Sequence, residues 1–212
     1  MKEVYAVGMP RSASVYFHDV VRYIAERVGV RVLNDAVDGH QHLPYSSSLG
    51  LCKDRQVFGI YRDIRDVVAS VYFYVRDIPI HPLDLVVKGK GLKESIDMLI
   101  THPNCLSRYV CWFLGYWGKP FVHLVSYEQA TGPHASITFR QLFRHLGVDV
   151  PLDVVDRALR ANSLESRLRR DWVHDRKLAD FRYYLTAGQI EEIEQLYSVF
   201  FELTGYRRIF GE

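Results

Sequence analysis

The feature that most constrains this fold is the stretch Val4-Tyr5-Ala6-Val7-Gly8-Met9-Pro10-Arg11-Ser12-Ala13-Ser14-Val15-Tyr16. It opens as a short apolar run of the kind that forms a buried strand and turns at Gly8-Met9-Pro10. It then enters a helical pattern through Ser12 and Ser14, both good N-cap residues. A strand that feeds a tight turn and then a helix prepares an anion site. The first backbone N–H groups of a helix have no partner within it, and the helix dipole favours negative charge there. Arg11 adds a fixed positive charge, and Ser12 and Ser14 add hydroxyl donors. The stretch reads as a cradle for a phosphate-like group. The plainer alternative is a serine that only caps a helix, with Arg11 in solvent. The phosphate loop of nucleotide kinases and GTPases, G-x-x-x-x-G-K-[ST], is a different pattern. No Gly-Lys pair follows Gly8, Ala13 stands at the crowded point of the turn, and the metal-ligating Ser/Thr is missing.

Beyond the turn, Val15, Val20, Val21, Ile24, Ala25 and Val28 recur at helical spacing, Gly29 stops the helix, and Val30 to Leu33 reads as a second strand. Asn34 to Ser48 is polar and reads as a loop. It carries His40 and His42 just past a strand end, where α/β proteins place ligands. Gln56 to Tyr61 is a strong strand ending in Arg62, and a helix with Ile64, Val67, Val68 and Val71 on its inner face follows. Arg62 at the strand end and Ser70 two turns into that helix can both serve one anion; otherwise Arg62 pairs with Asp66 and Ser70 packs. Ile78 to Gly91 reads as a mobile loop or lid. Leu92 to Thr101 and Cys105 to Trp117 read as helices and Phe121 to Tyr127 as a strand. Helices are expected at Ala135–Leu146 and Leu152–Ala161, then an irregular basic segment, then one helix from Thr186 to Thr204. Strands alternating with helices predict an α/β fold, a central, mostly parallel sheet flanked by helices, in a single domain over 1–212.

A chain of 212 residues with 48% hydrophobic and 25% charged residues can build a sizeable core, which excludes disorder. A net charge of +2 gives no argument for nucleic acid as partner. The basic residues concentrate between Arg157 and Arg182, which suggests a local anionic partner or a solvated helix face. Cys52, Cys105 and Cys111 form no C-x-x-C pair, so neither a zinc site nor a disulfide framework is expected. No metal-ligand cluster stands out. The chain runs directly into a strand with no apolar signal segment and has no run near the ~18 residues that span a bilayer, so a cytoplasmic protein without membrane attachment is expected.

Taken together these pieces resemble the sulfotransferases that use 3′-phosphoadenosine 5′-phosphosulfate (PAPS). Pro10-Arg11-Ser12-Ala13-Ser14-Val15-Tyr16 resembles that family's 5′-phosphosulfate loop. Tyr61-Arg62-Asp63-Ile64-Arg65-Asp66-Val67-Val68-Ala69-Ser70 resembles its 3′-phosphate motif, an Arg with a Ser eight residues on. His42-Leu43-Pro44 is similar to the His-Leu-Pro that carries the catalytic base of the cytosolic branch, and Ser126-Tyr127-Glu128 is similar to its Tyr-Glu-Asp segment. Arg176-Lys177 followed by Asp180-Phe181-Arg182-Tyr183-Tyr184-Leu185-Thr186 resembles the loop that closes over the cofactor. The chain departs from the pattern at Arg11, where the cytosolic branch has Lys, at Ala13 for Gly, at Tyr16 for Trp, and at Leu178 for Gly.

The resemblance implies a P-loop NTPase-like sulfotransferase fold. The implied reaction is sulfuryl transfer from PAPS to a hydroxyl or amine of a small-molecule acceptor, leaving 3′,5′-bisphosphoadenosine (PAP), without a metal. It assigns the cofactor's 5′ end to Arg11, Ser12, Ala13, Ser14, Val15 and Tyr16. Arg62, Ser70, Arg176 and Lys177 take the 3′-phosphate, and Tyr16, Tyr127 and Ser163 bracket the adenosine. His42 becomes the base. Arg11 becomes a charge clamp on the leaving phosphate, because a guanidinium with a pKa above ~12 is no proton donor. His40, Tyr72 and Phe73 are assigned to the acceptor pocket. A P-loop-type small-molecule kinase and a non-catalytic nucleotide-binding module are the competing classes.

Overall fold

The computed structural model describes residues 1–33, 42, 55–78, 81–163 and 180–210. In chain order they form β1 (Lys2–Gly8), α1 (Ser14–Val28), β2 (Val30–Val32), β3 (Gln56–Tyr61), α2 (Ile64–Asp77), α3 (Asp84–Val87), α4 (Leu92–Thr101), α5 (Leu106–Tyr116), β4 (Val122–Ser126), α6 (Tyr127–Thr131), α7 (Ala135–His145), α8 (Leu152–Ala161), a 3₁₀ turn (Phe181–Tyr183), α9 (Ala187–Leu196) and α10 (Ser198–Thr204). The chain divides into two compact units, Met1–Arg62 with Gly115–Val173 and Asp63–Leu114 with His174–Glu212. Among the described residues no helix is long and apolar enough to cross a membrane.

The first unit holds the sheet, whose order is β2-β1-β3-β4 with every pairing parallel. Val4, Ala6 and Val7 of β1 and Val57, Phe58 and Ile60 of β3 are all buried, the continuous burial that central parallel strands require. One apolar cluster joins Val4, Ala6, Phe58 and Ile60 to Phe17, Val20, Val21 and Ile24 of α1 and to Phe139, Leu142 and Phe143 of α7. From β1 the chain goes to β2 on one side and then to β3 on the other, so the order reverses between β1 and β3. Open α/β sheets bind ligands at such a reversal, beyond the carboxyl ends of the strands.

The second unit is helical and is fastened by a buried charge network. Arg65 donates from Nε to Asp63 Oδ1 at 3.0 Å and from Nη1 to Glu194, while Glu194 accepts the backbone N–H groups of Ile209 and Phe210. Burial works against the Arg65 charge, and the Asp63 and Glu194 carboxylates outweigh it, so its pKa is raised.

The structure differs from the sequence reading in three elements. Residues 81–91 contain the helix α3, with Leu83, Val86 and Val87 buried and His81 Nδ1 accepting the Leu83 N–H at 3.1 Å. The helix expected from Thr186 to Thr204 breaks at Tyr197, where ψ is 32°. The Tyr197 hydroxyl donates to Ile100 O at 2.8 Å, and the break lets Phe200 and Phe201 enter the core. The short helix α6 follows β4 directly, started by Ser126 and Gln129 as a reciprocal capping box.

Candidate active site

The β1–α1 turn is held by close packing and by its own hydrogen bonds. A Cβ on Gly8 would lie 2.4 Å from Ser14 Cβ and 3.0 Å from Ile60 Cγ2, so only glycine lets the start of α1 approach the strand ends this closely. Met9 N–H donates across to Ile60 O at 2.9 Å and Ser12 N–H returns to Met9 O at 3.2 Å. The Ser12 side chain has no exposed area, and its Oγ lies 2.5 Å from Met9 O and 3.2 Å from Ile60 O. Ser12 was expected to offer its hydroxyl to the cofactor. Here that hydroxyl's one proton stays inside the loop and braces it against β3.

Neither serine caps α1, contrary to the sequence reading. The N-cap is Ala13, in the left-handed region at φ 61° and ψ 36°, with no side-chain cap, and Ser14 is the first helical residue. The ladder begins with Phe17 N–H to Ala13 O at 3.0 Å, so the N–H groups of Ser14 and Val15 precede it. No acidic residue stands in the first turn. A left-handed residue followed by helix forms the concave backbone arrangement that receives anions. Arg11 also has a positive φ, 66°.

Parallel register places two further residues at this rim, and a contact with Gly8 places a third. Gly8 pairs with Ile60 and Tyr61 with Ser126, so Arg62 and Tyr127 leave adjacent strand ends beside the loop. The Arg62 side chain is largely buried, and its guanidinium carbon sits 4.4 Å from the centroid of the Tyr127 ring. Arg62 thus stacks on an aromatic face, and Asp66 accepts Phe181 N–H at 2.7 Å. His42 Nδ1 lies 2.8 Å from Gly8 O. A carbonyl only accepts, so Nδ1 carries the proton and Nε2 is the basic nitrogen of the neutral ring.

Tyr16 packs inside the first unit. It was expected to flank the adenosine; its ring is 6% exposed within the apolar cluster and its hydroxyl donates to Ala130 O at 3.1 Å. The tie to Ala130 lies too far along the chain to be read locally. Ser163 follows α8, with its N–H donating to Arg160 O at 3.3 Å, and the neighbouring Asn162 side chain turns back to Ala158 O. Ser70 is buried on α2 in the second unit, where Tyr72 is buried and Phe73 packs edge-on against Tyr184, 5.1 Å between centroids. His40, Arg176 and Lys177 lie outside the described residues.

The class that this architecture defines is the α/β fold of the PAP-binding sulfotransferases. Solved structures share it, two of them as follows. Mouse sulfotransferase SULT7A1 complexed with PAP matches at a TM-score of 0.70 and 15% identity, over 96% of this chain and 85% of that one. Retinol dehydratase in complex with androsterone and inactive cofactor PAP matches at 0.66 and 13% identity, over 98% and 83%. At these identities the likeness establishes the fold. No protein-family model matches the chain, and no curated protein does.

Proposed function

We propose that this chain is a PAPS-dependent sulfotransferase acting on a hydroxyl or amine of a small-molecule acceptor. The observation that carries the reading is the rim between β1 and β3, where an uncapped helix start, a glycine that admits no Cβ and the stacked Arg62 converge on the strand ends. The residues fit a ligand with two anionic ends. The N–H groups at the start of α1 and the Arg11 charge suit its 5′ end, and Arg62 suits a 3′-phosphate, by charge-assisted hydrogen bonds worth about 1.5–3 kcal/mol each. Ser70, Arg176 and Lys177 share the 3′-phosphate in this reading. A neighbour that holds androsterone together with PAP favours a small organic acceptor.

PAPS, when bound, supplies the sulfuryl group. The chain's own residues do the rest. Arg11 offsets negative charge on the leaving phosphate, acting by charge alone because it keeps its proton. The Gly8 carbonyl fixes the His42 tautomer, and Nε2 takes the acceptor's proton. The loop holds its shape through Met9, Ser12 and Ile60, which keeps its N–H groups aimed before any ligand arrives.

The test is single-turnover transfer from labelled PAPS across a panel of phenols, alcohols and amines. The wild-type chain transfers label, and His42→Ala does so about 10²–10⁴-fold more slowly. Full activity in His42→Ala removes His42 as the base. Absence of transfer to every acceptor, with PAP still bound, favours the non-catalytic module.

A further inference from the structure

We infer that Ser12 is a positioning residue: its buried hydroxyl holds Ala13 in the left-handed conformation that opens the start of α1 to an anion, and so turns backbone strain into affinity for the ligand's 5′ end. The ligand is that of the PAPS reading above, on which the inference rests; the coupling between Ser12 and Ala13 is also readable without any ligand.

Among the described residues, Arg11 and Ala13 are the only ones other than glycine with a positive φ, at 66° and 61°. Ser12 stands between them and has no exposed area. Its Oγ lies 2.5 Å from Met9 O and 3.2 Å from Ile60 O, so the hydroxyl ties the turn to its own beginning and to the end of β3. A hydroxyl has one proton to give, and this one is enclosed and directed at two carbonyls. Left-handed backbone is unfavourable for a residue with a Cβ and persists only where the surroundings impose it. The Ser12 tie is the contact that imposes it here. The start of α1 depends on the result, because Ala13 is its N-cap and Phe17 N–H begins the helical ladder on Ala13 O at 3.0 Å.

Both carbonyls also accept backbone donors: Ile60 O takes Met9 N–H at 2.9 Å and Met9 O takes Ser12 N–H at 3.2 Å. Loss of the Ser12 hydroxyl therefore leaves neither carbonyl without a partner, and its effect falls on the conformation of the turn. With alanine at position 13, the unbraced turn relaxes out of the left-handed region. Relaxation returns the strain to the folded chain, so stability falls little. The ligand must then re-form the cradle, and apparent affinity falls with the fraction of chains that hold it open. Glycine at position 13 carries no such strain. The unbraced turn then keeps its shape, affinity falls little, and stability falls by the whole hydrogen bond. A serine that only packed the loop would act alike in the two backgrounds.

The experiment is a double-mutant cycle of Ser12→Ala and Ala13→Gly, read by isothermal titration of PAP and by thermal unfolding of the ligand-free chains. Alone, Ser12→Ala is expected to weaken PAP about tenfold and to lower Tm by less than about 2 °C. In the Ala13→Gly background the same change is expected to weaken PAP by no more than about threefold and to lower Tm by about 2–4 °C. Whatever else Ala13→Gly changes is common to both arms and cancels. PAP affinity that Ser12→Ala leaves unchanged, or weakens equally in the two backgrounds, overturns the inference. Should Ser12→Ala not fold, the double variant decides: folding there supports the inference, and failure there overturns it. A wild-type chain that does not bind PAP overturns the PAPS reading itself. The thermal half of the cycle then decides the coupling: a larger Tm loss in the Ala13→Gly background supports it, and equal losses overturn it.

Discussion

Two strand-to-helix turns leave the neighbouring strands β1 and β3, and they are built in opposite ways. The turn from β3 supplies its own anions: Asp63 caps α2 by accepting Arg65 N–H at 2.9 Å, and Asp66 stands in the first turn. The turn from β1 supplies none: Ala13 caps α1 without a side chain, and the first turn holds no acidic residue. A helix start that carries carboxylates has its dipole already satisfied, while one without them is left positive and ready for an external anion. The backbone tells the same story. Arg11 and Ala13 sit at φ 66° and 61°, conformations that cost an L-residue roughly 1–2 kcal/mol each. The α1 turn holds backbone strain and no side-chain cap where the α2 turn has neutralising contacts.

The largest expected effect comes from breaking the closed turn. Glu194→Gln leaves buried Arg65 short of a counter-charge and lowers stability by about 3–5 kcal/mol in urea unfolding. A loss within the range of a surface substitution would mean that this turn is not closed by charge. Next is Gly8→Ala, which forces a Cβ to within 2.4 Å of Ser14. Overpacking of that kind costs about 1–3 kcal/mol, and the displaced helix start should also abolish the thermal shift given by PAP. The sharpest pair is at residue 13. Ala13→Gly relieves the left-handed strain and raises stability by about 1 kcal/mol with PAP affinity kept. Ala13→Asp makes the open turn resemble the closed one, so its fold is kept while its own carboxylate displaces the ligand's and PAP affinity falls at least about tenfold. Undiminished PAP binding in Ala13→Asp would break the comparison.

At neutral pH the smallest effect lies away from both turns and serves as their control. Burial first, and then the His145 ring stacked 3.6 Å away, lowers the pKa of His123 to about 4. An unfolded histidine takes its proton near 6.5. The folded chain therefore binds fewer protons between those values. Stability is full above about pH 6.5, declines as pH falls toward about 4 and loses nothing more from this group below it. His123→Gln should flatten that part of the stability profile; an unchanged profile would remove His123 as the cause.

Much of the architecture was legible in the sequence. The strands at Val4–Val7 and Gln56–Tyr61 are short apolar runs bounded by turn residues and buried on both faces, and the edge strand at Val30–Val32 follows the helix stop at Gly29. The turn at Gly8 and the place of Arg62 at a strand end were also visible, because glycine, a helix start and a basic residue at a strand end carry local chemistry. What the sequence hid depends on partners distant along the chain. Ser12 looks like a ligand donor until Ile60 is seen beside it, and Tyr16 looks like a base-stacking ring until its hydroxyl is found on Ala130. The stacking of Arg62 on Tyr127 follows from parallel register, which no local pattern encodes. The helix α6 is different: Ser126-x-x-Gln129 is a capping-box signature, and weighing it would have found that helix.

The most direct test of the central claim, that the open β1 turn and Arg62 together take a doubly anionic nucleotide, is the thermal unfolding of the wild-type chain with PAP, with adenosine 5′-phosphate and with ATP plus Mg²⁺. PAP at a hundredfold excess over its Kd should stabilise the fold by about 2.7 kcal/mol, and the other two, at the same concentration, by clearly less. Equal or greater stabilisation by ATP with Mg²⁺, or no shift with PAP, would contradict it.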